Sequence, residues 1–421
     1  MSRRLVLVGC GGMGRRHLRA YRTLLAYEPG RFELAAVVDP AIERAEFVAG
    51  EAEDLLGVRP TSFATLEMAL ENTEELQVAD VVTVASAHSP IVRTATEAGL
   101  HVLCEKPMAP TVLACRKMRA AAVQHGRLLS IAENYRRDPV ARLMRALIGA
   151  SVIGDVRSLL DYSLSGGRSA IAGGWQYKRS QGGPLLEMGV HNADLQMYMG
   201  GSIEHVYGQV RLREPQRSFR GAHVKPFHEH YSETYPDSQE ADAPDVLMAT
   251  LEYASGAVGQ WVCDMAAQGP GLQRFSVVGS SGQIDLPGVR SGRPLGVFLG
   301  TSQEPCTDDE VLALVPDFRL DDRTAKFFGG ERLATYGDAG EGVGGSADLK
   351  LIAMELAELL DAIDGEGVLE VDAATGLTAV ALVMAVHESS ESRQVVQLSD
   401  VRDGSLSVFQ DAANRDLGLE G

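Results

Sequence analysis

A chain of 421 residues is longer than one hydrophobic core usually organises, so two domains are expected, and 45% apolar with 23% charged residues suits a globular protein. The formal net charge of -18 repels phosphate backbones and anionic headgroups, which leaves nucleic acid and membrane surfaces as poor partners. The five cysteines are widely spaced without a CxxC pair, and the first apolar stretch, "LVLVG", is too short for a secretory signal. No run approaches the roughly 20 apolar residues of a membrane span, so a cytoplasmic protein with reduced thiols is expected.

Short runs rich in Val, Leu and Ala alternate with helical stretches through the first third of the chain. They predict strands at Arg4 to Gly9, Glu33 to Asp39, Asp80 to Ser86, His101 to Pro107 and Arg127 to Asn134. Continuous apolar strands of this kind imply a parallel sheet covered on both faces, an α/β Rossmann domain over residues 1–134. After it the strands lengthen and become half polar, in "DVRSLLDYSLSG", "DVLMATLEYASGAVGQWVCDM" and "QRFSVVGSSGQIDLPG". Residues 135–421 are read as an α+β domain with a large, mostly antiparallel sheet, closed by helices near Asp348 to Ile363 and Ala373 to Glu388. Arg211 to Pro244 and Ser302 to Gly345 are polar stretches that these periodicities do not place.

"GCGGMG" sets Gly9, Gly11 and Gly14 in G-x-G-x-x-G spacing between the first strand and a helix, with Gly12 and Met13 filling the turn. The first glycine allows a tight turn, the second lets backbone approach a pyrophosphate, and the third lets helix and strand pack closely. The helix N-terminus then offers unpaired N–H groups to an anion. Asp39, at the end of the second strand, is placed to accept hydrogen bonds from both ribose hydroxyls and would repel a 2'-phosphate. NAD is therefore the expected cofactor and NADP the less favoured one, with Arg44 close enough to soften the preference.

"EKP" at Glu105 to Pro107, together with "GCGGMG", "GGPLLEMGVHNAD" and the late "GLTAVALVMAVHESSESRQVVQL", resembles the Gfo/Idh/MocA family of glucose-fructose oxidoreductase and inositol dehydrogenase. The resemblance implies an NAD-dependent oxidoreductase with its nicotinamide in the cleft between the two domains. It makes Lys106 the catalytic lysine and His191 the proton-shuttling histidine, and it sets Glu187 where an aspartate is usual. On the cofactor side it adds Ser86, His88, Glu105 and Lys106 to the glycines and Asp39. Here the chain departs from the family's Thr-Pro-Asn, carrying Ser86, Ala87 and His88, with Ile91 at the usual histidine position. The resemblance also suggests a homodimer or homotetramer formed through the open face of the second sheet.

Oxidising a secondary alcohol needs a base for the hydroxyl proton and a positive group for the developing alkoxide, roles that suit His191 and Lys106 respectively. Glu187 and His191 share a helix face four residues apart, so Glu187 either orients the imidazole or accepts a substrate hydroxyl. Tyr135 and Arg136 in "AENYRRDP", and Trp175 and Lys178 in "GGWQYKRSQGG", are further candidates for the substrate, which is expected to be a polyol, sugar or glycoside. Asp194 is expected to be structural. His223, His228 and His230 read as a lid, a subunit-contact loop or, less favoured, a metal site, and no metal is assigned. Two alternatives share these motifs: a glycoside hydrolase or lyase that uses NAD transiently, and a non-catalytic sugar or nucleotide sensor.

Overall fold

The computed structural model describes residues 2–170, 173–219, 236–337 and 346–419, so His223, His228 and His230 lie outside the described residues. Six parallel strands form the first sheet in the order β3-β2-β1-β4-β5-β6. They are β1 (Arg3–Val8), β2 (Phe32–Val38), β3 (Thr61–Phe63), β4 (Val78–Val81), β5 (His101–Glu105) and β6 (Leu129–Ala132). Strand order reverses between β1 and β4, which opens a crevice at their carboxyl ends.

Three of the expected strands end two or more residues early. β4 keeps its ladder with β1 only from Leu5 opposite Val78 to Val8 opposite Val81. Gly9, at φ 110°, then turns the chain away. Without that partner the chain leaves the sheet, and Ser86, expected at a strand end, sits in the first turn of α4 (Ala85–Glu97). Likewise Lys106 and Glu133 lie just beyond β5 and β6. β3 has only three residues, too few for a periodicity to reveal.

The second sheet has eight strands in the order β15-β14-β13-β7-β12-β11-β8-β16. Its long members are β7 (Val156–Gly166), β8 (Ile203–Arg211), β11 (Val246–Tyr253), β12 (Val258–Ala267) and β13 (Leu272–Gly279), with β14 (Gly282–Leu286), β15 (Gly296–Leu299) and β16 (Val396–Gln397) toward the edges. Among its described strands, only β7 and β12 pair in parallel. Part of the unplaced polar stretch forms a separate small ladder of β9 (Gln216–Ser218) and β10 (Ser238–Glu240).

Helix α7 (Gly183–Gly200) lies on one face of this sheet. Gly183, at φ 76°, opens it, because a side chain there would come within 2.6 Å of the Ala243 Cβ. Asn192 fastens the helix from the middle, donating to both carboxylate oxygens of Asp161 on β7 at 2.9 Å.

Two helices from the end of the chain bind the halves together. The helix Ser346–Asp364 contributes Leu351, Leu356 and Leu359 to the same core as Leu5, Leu18 and Leu24 of the first sheet and its first helix. The backbone then pairs with the edge of that sheet, where Ile131 N donates to Val371 O at 2.9 Å. The helix Ala373–Ser392 is apolar on nearly every side, as expected of a helix enclosed by protein. Among the described residues no helix is long and apolar enough to cross a membrane.

Candidate active site

The crevice begins with the glycine turn. Gly9 cannot carry a side chain, since a Cβ there would fall 2.3 Å from Val82 O, and one on Gly14 would fall 2.0 Å from Gly9 O. Gly11 differs: nothing lies within 4 Å of the position its Cβ would take. That open space stands over the first turn of α1 (Gly12–Tyr27), whose leading N–H groups have no partner inside the helix. Asp39 is buried beside it and accepts from Cys10 N and Ala41 N, each at 3.0 Å. A carboxylate oriented by two backbone donors keeps lone pairs for further hydroxyls. Glycine cradle, helix terminus and oriented carboxylate together fit a pyrophosphate linked to an unphosphorylated ribose, as in NAD.

Beyond the cradle, Lys106 and α7 meet. Lys106 Nζ donates to the Glu187 carboxylate at 2.8 Å and to the Glu187 backbone oxygen at 2.9 Å. Burial alone would pull the ammonium toward neutrality, but the carboxylates of Glu187 and Glu105 outweigh it and hold the pKa above its ordinary value. Lys106 is therefore a fixed cation. Glu187 consequently does not orient the imidazole, as one helical reading had it: its carboxylate is engaged with Lys106 instead.

His191 is held by a residue the sequence reading left out. Its Nδ1 lies 2.7 and 2.8 Å from the two carboxylate oxygens of Glu133, which also accepts from Tyr135 N at 3.0 Å. The signal for Glu133 was available: Glu105 and Ala132 are opposite one another in the parallel ladder, so the next residues, Lys106 and Glu133, leave the sheet side by side. The Tyr135 ring stacks on the imidazole with centroids 4.1 Å apart and planes 6° from parallel, and the Arg290 guanidinium covers the same tyrosine at 5.1 Å. Arg290 was also missed, because the loop that carries it has no motif. Its φ of 61° is uncommon for a residue with a side chain and marks a position held by its surroundings. Burial keeps the His191 pKa below its ordinary value, with Lys106 and Arg290 adding to burial and Glu133 opposing it.

Several expected contacts go elsewhere. His88 is buried with its ring nitrogens on the backbone oxygens of Pro107, Met108 and Thr83, so its side chain braces the turn after Lys106 rather than facing a nicotinamide. The Glu105 carboxylate also turns inward, accepting from Lys106 N at 2.9 Å and lying 3.1 Å from His17 Nε2. His17 reaches Asp80 at 2.7 Å through its other nitrogen. Although burial opposes it, these two carboxylates raise the His17 pKa to about 10. A buried imidazolium thus holds the underside of the Lys106 turn.

Arg136 pairs with Asp194, with Nε 2.8 Å from Oδ2, which gives Asp194 a structural partner. Trp175 lies in a short helical turn ahead of α7, Lys178 is the extended residue joining that turn to the next, and Lys178 Nζ lies 3.9 Å from Asp242. Among the described residues, neither shares a hydrogen bond or ring contact with Lys106, Glu187 or His191.

Known proteins are similar to this chain in sequence over its two domains and in fold over most of its length. Residues 3–133 match the oxidoreductase family with the NAD-binding Rossmann fold, and residues 141–285 match the GFO/IDH/MocA C-terminal domain. A D-apiose dehydrogenase of Paraburkholderia graminis is 29% identical over 202 residues, 47% of this chain but only 49% of that protein. A levoglucosan dehydrogenase of Pseudarthrobacter phenanthrenivorans is 26% identical over 291 residues, 66% of this chain and 72% of that one. In fold, a levoglucosan dehydrogenase in complex with NADH and levoglucosan aligns with a TM-score of 0.73 at 21% identity, covering 94% of this chain and 100% of that one. An NAD binding oxidoreductase from Klebsiella pneumoniae aligns with a TM-score of 0.73 at 22% identity, covering 94% and 99%.

Proposed function

The chain belongs to the Gfo/Idh/MocA oxidoreductase family and carries its NAD-binding Rossmann fold, and from that premise we propose that it oxidises a secondary hydroxyl of a sugar, inositol or glycoside. The observation that supports this most is the convergence of a charged Lys106, bonded to Glu187, and a His191 held in its un-ionised range at the mouth of the crevice. Opposite pKa displacements in neighbouring groups divide acid and base roles. His191 Nε2, which makes no hydrogen bond among the described residues, takes the hydroxyl proton. Lys106 Nζ holds the oxygen as its negative charge develops. NAD, when bound, supplies the hydride acceptor. Names of relatives that act on levoglucosan, D-apiose and inositol point to a cyclic polyhydroxy substrate.

Incubating the protein with NAD and levoglucosan, D-apiose or myo-inositol is expected to yield NADH in proportion to oxidised product, followed by the absorbance of NADH. Product appearing without net NADH would replace this reading by the transient oxidation of a lyase or hydrolase. NADH formation that persists unchanged in both Lys106→Met and His191→Gln would remove the assignment of these residues.

The open face of the second sheet supports an assembly of copies. Tyr207, Met248, Val258 and Leu272 are exposed there on β8, β11, β12 and β13, an apolar surface of the kind that marks contact sites. Sedimentation is expected to show a dimer or tetramer that Met248→Glu weakens; a wild-type chain sedimenting as a monomer would rule out this interface.

A further inference from the structure

We infer that Glu133 is the positioning residue of the proton shuttle: its carboxylate fixes His191 as the Nδ1–H tautomer and balances the imidazolium that forms when Nε2 accepts the substrate proton. The inference rests on the reading of His191 as that shuttle and adds a part the family resemblance did not supply.

Glu133 is buried at 3% exposure, and both of its oxygens face the same imidazole nitrogen. It is fixed from several sides, because Tyr135 N donates to its carboxylate at 3.0 Å and the Arg137 guanidinium donates to its backbone oxygen. A carboxylate only accepts, so the nitrogen facing it must carry the hydrogen. In a neutral ring that leaves the lone pair on Nε2, and the stacked Tyr135 ring sets the plane in which it points.

Groups facing His191 are Glu133 beyond β6, Lys106 beyond β5, Arg290 from the loop after β14, and Tyr135; Glu187 and Asp194 share its helix, engaged with Lys106 and Arg136. Two cations and burial therefore disfavour the imidazolium, and among the described residues Glu133 is the negative group hydrogen-bonded to the ring. Glu133 itself stays ionised, since burial raises its pKa but the imidazole, Tyr135 N and Lys106 outweigh that. In the oxidation the substrate O–H bond breaks with its proton going to Nε2. The C–H bond breaks with its electron pair going to NAD as hydride, and the carbonyl forms. Nδ1–H stays in place throughout, and Glu133 takes no proton.

The test is a histidine titration by nitrogen NMR on the full chain with NAD, the His191 signals being those lost in His191→Gln. Wild type is expected to show the Nδ1–H tautomer and a midpoint below the usual 6.5. Glu133→Gln should move that midpoint lower still and abolish the tautomer preference, Glu133→Asp should return it toward wild type, and Tyr135→Phe should leave it in place. Turnover of Glu133→Gln should fall about 100-fold, with KM little changed. A wild-type midpoint and tautomer in Glu133→Gln would overturn the inference. Wild-type turnover in His191→Gln would instead overturn the shuttle reading itself, so the two failures are distinguishable.

Discussion

Lys106→Met is expected to lower turnover by a factor of about 10²–10³, the usual loss when one donor to a developing oxyanion is removed. KM should change less, because the ammonium acts on charge that appears only as the hydroxyl is oxidised. The substitution also leaves the Glu187 carboxylate, 15% exposed, without the cation it now touches at 2.8 Å. Its effect could therefore be mistaken for that of a displaced carboxylate. Lys106→Met combined with Glu187→Gln separates the causes: if the missing ammonium limits the reaction, the double variant is as slow as the single one. Recovery of NADH formation in the double variant would assign the loss to the orphaned carboxylate and take the alkoxide role from Lys106.

The same pair shows why Glu187 stands where it does. A cation that must stabilise an oxygen anion has to remain charged in a buried cleft, and a carboxylate 2.8 Å away does that at the expense of its own freedom. The extra methylene of a glutamate extends its reach by about 1.5 Å over an aspartate, enough for a side chain on α7 to meet one that leaves β5. Charge is thereby divided between two couples. Lys106 with Glu187 holds the positive charge, and Glu133 with His191 holds the place where a proton will arrive.

The residues legible in the sequence were those whose chemistry depends on local spacing. Gly9, Gly11 and Gly14 sit at fixed offsets after an apolar strand, and Asp39 ends the next one, so their neighbours in space follow from neighbours in sequence. The β11–β12 and β13–β14 hairpins were legible for the same reason. Partner choice was not. Glu187 and His191 lie one helical turn apart, yet each finds its partner on a different strand end, 81 and 58 residues away. Helical spacing shows which side chains share a face, but not which of several groups opposite will meet them. His88 shows the same limit: it lies near the crevice in sequence terms, while its ring nitrogens face three backbone carbonyls. The helix Ser346–Asp364 carries a clear apolar stripe, but nothing in that stripe says that it covers the first sheet.

That helix is the basis of the largest stability effect expected. Asp348, in its first turn and 1% exposed, accepts from Arg16 of α1 at 2.8 Å and from Arg290 at 2.8 Å. Helix N-terminus and two guanidiniums all favour a negative charge there. Asp348→Leu should therefore cost about 3–5 kcal/mol, since it leaves cations without their counter-charge in a setting that disfavours them. Arg16 and Arg290 are only 9% and 21% exposed at their side chains, so solvent does little to relieve the loss. Urea midpoints of the purified chain measure the effect. Replacing all three, by Arg16→Met, Asp348→Leu and Arg290→Met together, removes the charges as a set and should be less harmful than Asp348→Leu alone. Should the triple variant prove at least as unstable as the single one, uncompensated charge is not the cause, and the packing of the three side chains between the domains must supply the stability instead.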